Sequence, residues 1–187
     1  MARPLSEDKK TALLNAATRI IATIGTGATT AAIAKEAGVA TGSLFTYYVN
    51  KDALLNDLYL NLNYEIADSL LPDYPAEAGL KDRAWYVWSQ YIAWALQFPE
   101  KRRAADQLSL FCRISPEAIN AAAARLEPIN NLLRDCIPKD SPISAEFGTG
   151  LIIKLGQLTI EFAEREPERT QDHMAIGFDA YWRALSG

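Results

Sequence analysis

The chain has 187 residues and a mass of 20.6 kDa, enough for one large domain or for a small head on a larger body. Its 49% apolar and 22% charged residues describe an ordinary globular protein, too apolar to remain disordered. The net charge of −4, from 19 basic and 23 acidic residues, argues against a polyanion binder along its whole length. The charge is nevertheless uneven. Residues 1–51 hold Arg3, Lys9, Lys10, Arg19, Lys35 and Lys51 against Glu7, Asp8 and Glu36, a balance of +3, which leaves −7 on the rest. A basic head on an acidic body points to a polyanion partner at one end.

Several classes are excluded at this level. Cys112 and Cys136 are too few and too far apart to frame a disulfide scaffold, so a reducing cytoplasm is expected. The single histidine, His173, argues against most zinc sites and against imidazole acid–base catalysis. The opening MARPLSEDKK lacks the apolar core of a signal peptide, and no run of about 18 apolar residues could cross a bilayer. A soluble protein with no membrane partner, no metal and no cofactor is expected.

Taken in chain order, the pattern predicts an all-α protein of about nine helices. Leu13, Ala17, Ile20, Ile21 and Ile24 recur at helical spacing, and Gly25 and Gly27 end that helix. Thr29 or Thr30 can cap a short second helix through Ala37, stopped by Gly38, and Thr41 can cap a third, to Tyr48. Asn50 caps a fourth, with Asp52 at the positive end of its dipole, running to about Leu70 before Pro72 and Pro75. A fifth helix spans about Gly79 to Phe98 and a sixth Glu100 to Arg113. Pro116 opens a seventh, ahead of the Pro138–Pro142 loop. Two long helices follow, about Ser144 to Arg165 and Pro167 to Leu185. No strand-length alternation, repeat or low-complexity linker interrupts them.

Residues 30–48 read as a helix-turn-helix. Where its two helices meet, a small residue is needed, and Ala34 stands there. Four residues on, the turn needs a backbone free to take positive φ, which Gly38 supplies. Ile33, Ala37, Val39 and Leu44 fall on the faces that bury against each other. The following TGSLFTYY is short, uncharged and rich in hydroxyls and rings. It can donate to phosphates and bases and press apolar groups on thymine methyls. An isolated Ala–Gly pair would equally suit a purely structural αα-hairpin. Here, a helix this short buries only one face, so one of Phe45 and Tyr47 must point outward, in the basic part of the chain.

The string TTAAIAKEAGVATGSLFTYYVNKDALL resembles the DNA-binding head of TetR-family transcriptional regulators, over about residues 10–58. The resemblance implies a three-helix head at residues 1–50 and a ligand-binding and dimerisation body at 51–187. It further implies a homodimer, double-stranded operator DNA as partner and a small-molecule effector. Thr30 and Thr41 match phosphate-contacting helix caps, and Gly42, Ser43, Phe45, Thr46 and Tyr47 match recognition-helix positions. Lys51 matches a phosphate-gripping lysine, whereas Tyr48 is expected in the core. Many members carry a long base-reading side chain just after the second-helix cap. Ala31 stands there in this chain, which shifts readout to the third helix or to Arg3 and Lys9 in an N-terminal arm. The stretches MARP, SEDKK, W-x-x-Y-I-x-W at Trp88–Trp94 and GFDAYWRAL are similar to members that control multidrug efflux.

The fifth helix carries Trp85, Trp88, Tyr91, Trp94 and Phe98 on both faces, so other helices should surround it. Single rings of this kind commonly only fill a core. Three of the four tryptophans fall within ten residues, however, and their bulk and indole N–H groups suit a flat, apolar or cationic ligand. By the family resemblance, Tyr59, Trp85, Trp88, Phe111, Cys136 and Ile152 are the candidate ligand contacts. Long stripes at Phe147, Leu151, Leu155, Leu158 and Phe162, and at Met174, Phe178, Tyr181 and Leu185, match the helices that pair in dimers of the family. Gly148, Gly150 and Gly156 would let backbones approach closely there.

An enzyme is the main rival class, and no catalytic residue is assigned. Glu161 and Glu164 read as a solvated face, no E-x-x-H pair supports a di-metal site, and the glycines at 148–150 follow no strand. His173, next to Asp172, reads as a surface residue. A helical interaction bundle with a vestigial head is the third class, and binding to the DNA flanking the protein's own gene separates all three.

Overall fold

The computed structural model describes residues 6–111 and 113–186; Arg3 and Cys112 lie outside them. Among the described residues there are ten α-helices, one short 3-10 turn (Pro167–Arg169) and no strand. The helices are α1 (Glu7–Ile24), α2 (Thr30–Glu36), α3 (Thr41–Tyr47), α4 (Lys51–Leu70), α5 (Leu80–Gln97), α6 (Pro99–Ser109), α7 (Pro116–Arg125), α8 (Glu127–Asp135), α9 (Ala145–Arg165) and α10 (Thr170–Ser186). The expected count of nine becomes ten because the single helix foreseen after Pro116 is two. Leu126 leaves the helical region at φ −96°, ψ 12°, and Pro128 stands in the first turn of α8. Inside a continuous helix that proline would remove a hydrogen bond and strike the carbonyl one turn back, so the chain restarts.

Side-chain caps fall at several expected starts. Thr29, not Thr30, accepts the Ala32 N–H at 3.1 Å, and Asn50 accepts that of Ala53 at 2.8 Å. Ser144 accepts the Phe147 N–H at 3.1 Å. Thr41 is the exception to the expected pattern, since it is already the first helical residue of α3 and Ala40 occupies the cap.

The described residues form two compact units. The first runs through Glu65 and is completed by Phe98–Ala122. Leu13, Ala17 and Ile21 of α1 pack with Ile33 and Ala34 of α2 and Leu44 of α3. Leu54, Leu55, Leu58 and Leu62 of α4 and Ala104 and Leu108 of α6 enter the same core. This packing boundary differs from one at residue 50. Three helices, two of them seven residues long, bury too little apolar surface alone, and α4 and α6 supply the remainder.

The second unit comprises Ile66–Gln97 and the chain from Ala123 onward. There α5 packs with α8, α9 and α10. Its core holds Trp88, Ile92 and Trp94 with Leu132, Ile160, Phe178 and Tyr181. Trp88 is only 2% exposed, and its indole N–H donates to the Met174 carbonyl at 3.0 Å. Gly177 makes room for it, because a Cβ there would lie 2.9 Å from the Trp88 ring and 2.2 Å from the Thr159 hydroxyl.

Candidate nucleic-acid interface

The turn between α2 and α3 is built as its residues require. Gly38 takes φ +68°, its N–H bonds the Lys35 carbonyl at 3.1 Å, and the Val39 N–H reaches back to Ala34 at 2.9 Å. These two bonds, closed by a left-handed glycine, terminate α2 and aim α3 away from it. Ala34, fully buried, lets the two helices meet.

Along α3 the inward residues are Leu44, fully buried, and, one position past the helix, Tyr48, 5% exposed. Thr41, Gly42, Phe45, Thr46 and Val49 face outward, a stripe at i, i+1, i+4, i+5 and i+8. Phe45 is 48% exposed and Val49 82%, so this face carries apolar groups as well as hydroxyls. Ser43 and Thr30 are half-buried. Gly42 has open space where a Cβ would stand and no positive φ, so nothing within the chain requires glycine there. Val49 was missed in the sequence because it follows the helix. The period that sends Leu44 and Tyr48 inward would have placed it outside.

Tyr47 is held more tightly than the motif implied. It packs against the first core, and its phenol oxygen accepts the Ser6 N–H at 3.2 Å. Tyr48 fills the core as expected, and its hydroxyl donates to Asp57 at 2.8 Å. Burial, reinforced by that bond, pushes its pKa well above the ordinary tyrosine range. Lys10 pairs with the same carboxylate at 3.0 Å, which ties α1 to α4 beside the end of α3. The Lys51 ammonium donates to the Thr26 carbonyl at 2.6 Å, in the loop ahead of α2. Of the other cations in the head, Arg19 pairs with Glu36 at 2.7 Å, while Lys9 and Lys35 are exposed.

The six ligand candidates fall in both units. Tyr59 and Phe111 are partly buried against the first core. Trp85 and Ile152 are partly buried against the second, and Trp88 and Cys136 are buried within it. Trp85 meets Phe178 edge to face, with centroids 5.1 Å apart. Trp88, with its N–H satisfied, is packed as a core residue.

The two C-terminal stripes behave differently. On α9, Phe147, Leu158 and Phe162 are 64%, 50% and 37% exposed, and Leu151 and Leu155 are half-buried. On α10, Phe178 at 5% and Tyr181 at 0% are buried within the chain's own core. They therefore offer no surface to a partner, and Ile176, 62% exposed, is the apolar group that α10 presents. Gly150 has an open surround, whereas Gly148 is covered by Ile137 and Gly156 by Trp88 and Tyr91. His173 is not a surface residue: its side chain is 13% exposed, 3.3 Å from Glu166 and against the Phe162 ring. Among the described residues no cluster of possible ligands could hold a metal ion, and no helix is long and apolar enough to cross a membrane.

Residues 13–58 match the family described as bacterial regulatory proteins, tetR family. The whole chain is similar to a solved TetR-family transcription regulator from Shewanella sp. PV-4, at 28% identity and a TM-score of 0.80, over 95% of this chain and 97% of that one. It shares its fold with a TetR-family regulator from Marinobacter aquaeolei VT8, at 20% identity and a TM-score of 0.81, over 96% of each chain. It also shares its fold with FadR from Bacillus subtilis, solved with stearoyl-CoA, at 17% identity and a TM-score of 0.65, over 94% and 96%. Residues 13–58, which hold the helix-turn-helix, are thus similar to the DNA-binding part of that family, and the fold of the whole chain is that of its solved regulators.

Proposed function

We propose that the protein is a ligand-released repressor: a cytoplasmic homodimer that holds a near-palindromic operator and leaves it when a small molecule binds the body. The division of labour follows residues 1–50 for DNA and 51–187 for ligand and partner. The observation that carries the DNA half is the outward stripe of α3, in which Thr41, Phe45 and Thr46 stand free of the core around an unobstructed Gly42. Thr30, Ser43, Tyr47 and Lys51 flank it and fix its position against the backbone. Two copies bound about 34 Å apart would place both recognition helices in successive major grooves. The exposed face of α9, from Phe147 through Leu158 to Phe162, is the surface through which those copies pair.

The ligand half rests on the tryptophan-rich second unit and on Tyr59, on α4, where a change in the body would reach the head. A ligand favouring a conformation with the heads set apart weakens operator affinity by its differential binding energy. FadR of B. subtilis was solved with an acyl thioester, so this fold admits such a role. The similarity of W-x-x-Y-I-x-W and GFDAYWRAL to RamR-type regulators adds control of multidrug efflux, with aromatic or cationic effectors, as the finer proposal. A mobility-shift assay with the DNA flanking the gene tests the whole scheme. A sequence-specific shift, reversed by a small molecule that also quenches tryptophan fluorescence, is expected. Absence of any specific shift overturns it.

A further inference from the structure

The second core contains a polar grouping that the packing leaves unsatisfied. Tyr181 is fully buried, and its hydroxyl has no hydrogen-bond partner. The Nε of Arg83 is also buried without one. An unpaired buried donor is costly, and such groups are uncommon in native interiors. Arg83 lies on α5, Tyr181 on α10 and Cys136 at the end of α8, and α5 packs against both of the other helices. The Cys136 thiol, 6% exposed, is the group whose electrostatics link the three, since it feels the Arg83 charge and bears in turn on the Tyr181 hydroxyl.

We propose that Arg83, Cys136 and Tyr181 form a polar pole inside the second unit that receives the carboxylate of an aryl or alkyl carboxylic acid, whose hydrocarbon part lies against Phe178 and Trp85. This deepens the sensor reading and rests on it, with an acid in place of the cationic effector. The chemistry of the pole selects the class. A guanidinium only donates, and burial raises both the phenol and the thiol, the latter to about 11, so both keep their protons near neutral pH. Buried donors left unpaired in an apolar surround call for an acceptor, and a carboxylate accepts up to four bonds. A cationic ligand would need a carboxylate instead. Among the described residues the buried polar side chains outside the apolar core are Thr18 and Thr159, neither of which carries charge. Asp135, beside Cys136, is exposed.

The test titrates the full-length protein with phenylbutyrate and octanoate, following tryptophan fluorescence, with phenylbutyramide and phenylbutylamine as neutral and cationic counterparts. Saturable binding of the two acids is expected, with the amide and the amine about tenfold weaker or more. Tyr181→Phe and Arg83→Met should each lower affinity for the acids by a similar factor. Tyr181→Phe should also melt at or above the wild-type temperature without ligand, because it removes an unpaired hydroxyl; a merely structural tyrosine would lose stability instead. No saturable binding of either acid, tighter binding of the amine, or unchanged affinity in Tyr181→Phe overturns the proposal. Should Arg83→Met fail to fold, Tyr181→Phe decides alone. Binding is read without DNA, so an acid that binds but leaves the operator complex intact supports the polar pole and overturns the sensor reading only.

Discussion

At the scale of single residues, Lys51 has a place in the fold that a role at a phosphate would have to share. Its ammonium, half-buried, holds the Thr26 carbonyl, which fixes the loop before α2. Lys51→Ala should weaken binding to all DNA sequences alike and reduce the salt slope by about one, as expected for one lost phosphate contact. An unchanged slope in a salt titration would assign Lys51 to the loop alone. Thr46 and Tyr47 separate cleanly by burial. Thr46→Ala should cost roughly 1–3 kcal/mol of specific binding and leave the melting temperature in place. Tyr47→Ala should lower stability as well, since Tyr47 packs on the first core and is bonded to Ser6. Equal melting temperatures for the two variants would contradict this difference. Cys136 gives a pH dependence. Its pKa is raised by burial from 9.0 to about 11, so between those values the folded state holds a proton that the unfolded chain has lost. Stability therefore falls as pH rises from about 9 towards 11, and Cys136→Val should flatten that part of a denaturation profile.

At the scale of the element, α3 is a seven-residue helix with no side-chain cap, too short to be stable alone. It exists because Leu44 and Tyr48 anchor one face and the Gly38 turn sets its start. The other face is left open to solvent, and Gly42 stands on it with open space where a Cβ would be. Gly42→Ala meets no steric obstacle and should gain about 0.4–1 kcal/mol of stability. The added methyl on the exposed face should nonetheless reduce operator binding. Parallel thermal melts and mobility shifts read the two effects, and a variant that is stabilised with full DNA affinity would move the interface away from Gly42.

At the scale of the whole molecule, the exposed apolar line of α9 is the feature the isolated chain leaves uncovered. Phe147, Leu158 and Phe162 on one helix exceed the scattered apolar exposure of a typical monomer surface. Leu158→Glu should yield a folded monomer by sedimentation and abolish stable operator binding, because a single head recovers only half of the contacts. A Leu158→Glu protein that remains dimeric would place the interface elsewhere.

Much of this was legible in the amino-acid order because it depends on local rules. Helical period, glycine at a positive-φ turn and polar caps act within a few residues, so α1 to α5, the Gly38 turn and the Asn50 cap follow from spacing. The long helices at the C-terminus follow in the same way, and the buried Tyr48 and the motif itself were equally visible. What neighbours in sequence could not decide was which apolar stripe is covered and by what. The α9 and α10 stripes look alike as strings, yet Phe178 and Tyr181 turn into their own core while Phe147 and Leu158 stay exposed. The placement of Trp88 over Gly177, the bond of Lys51 to Thr26 and the unsatisfied donors of Arg83 and Tyr181 are likewise long-range facts. They arise where helices distant in sequence meet, and burial there depends on the packed partner, which periodicity along one helix does not specify.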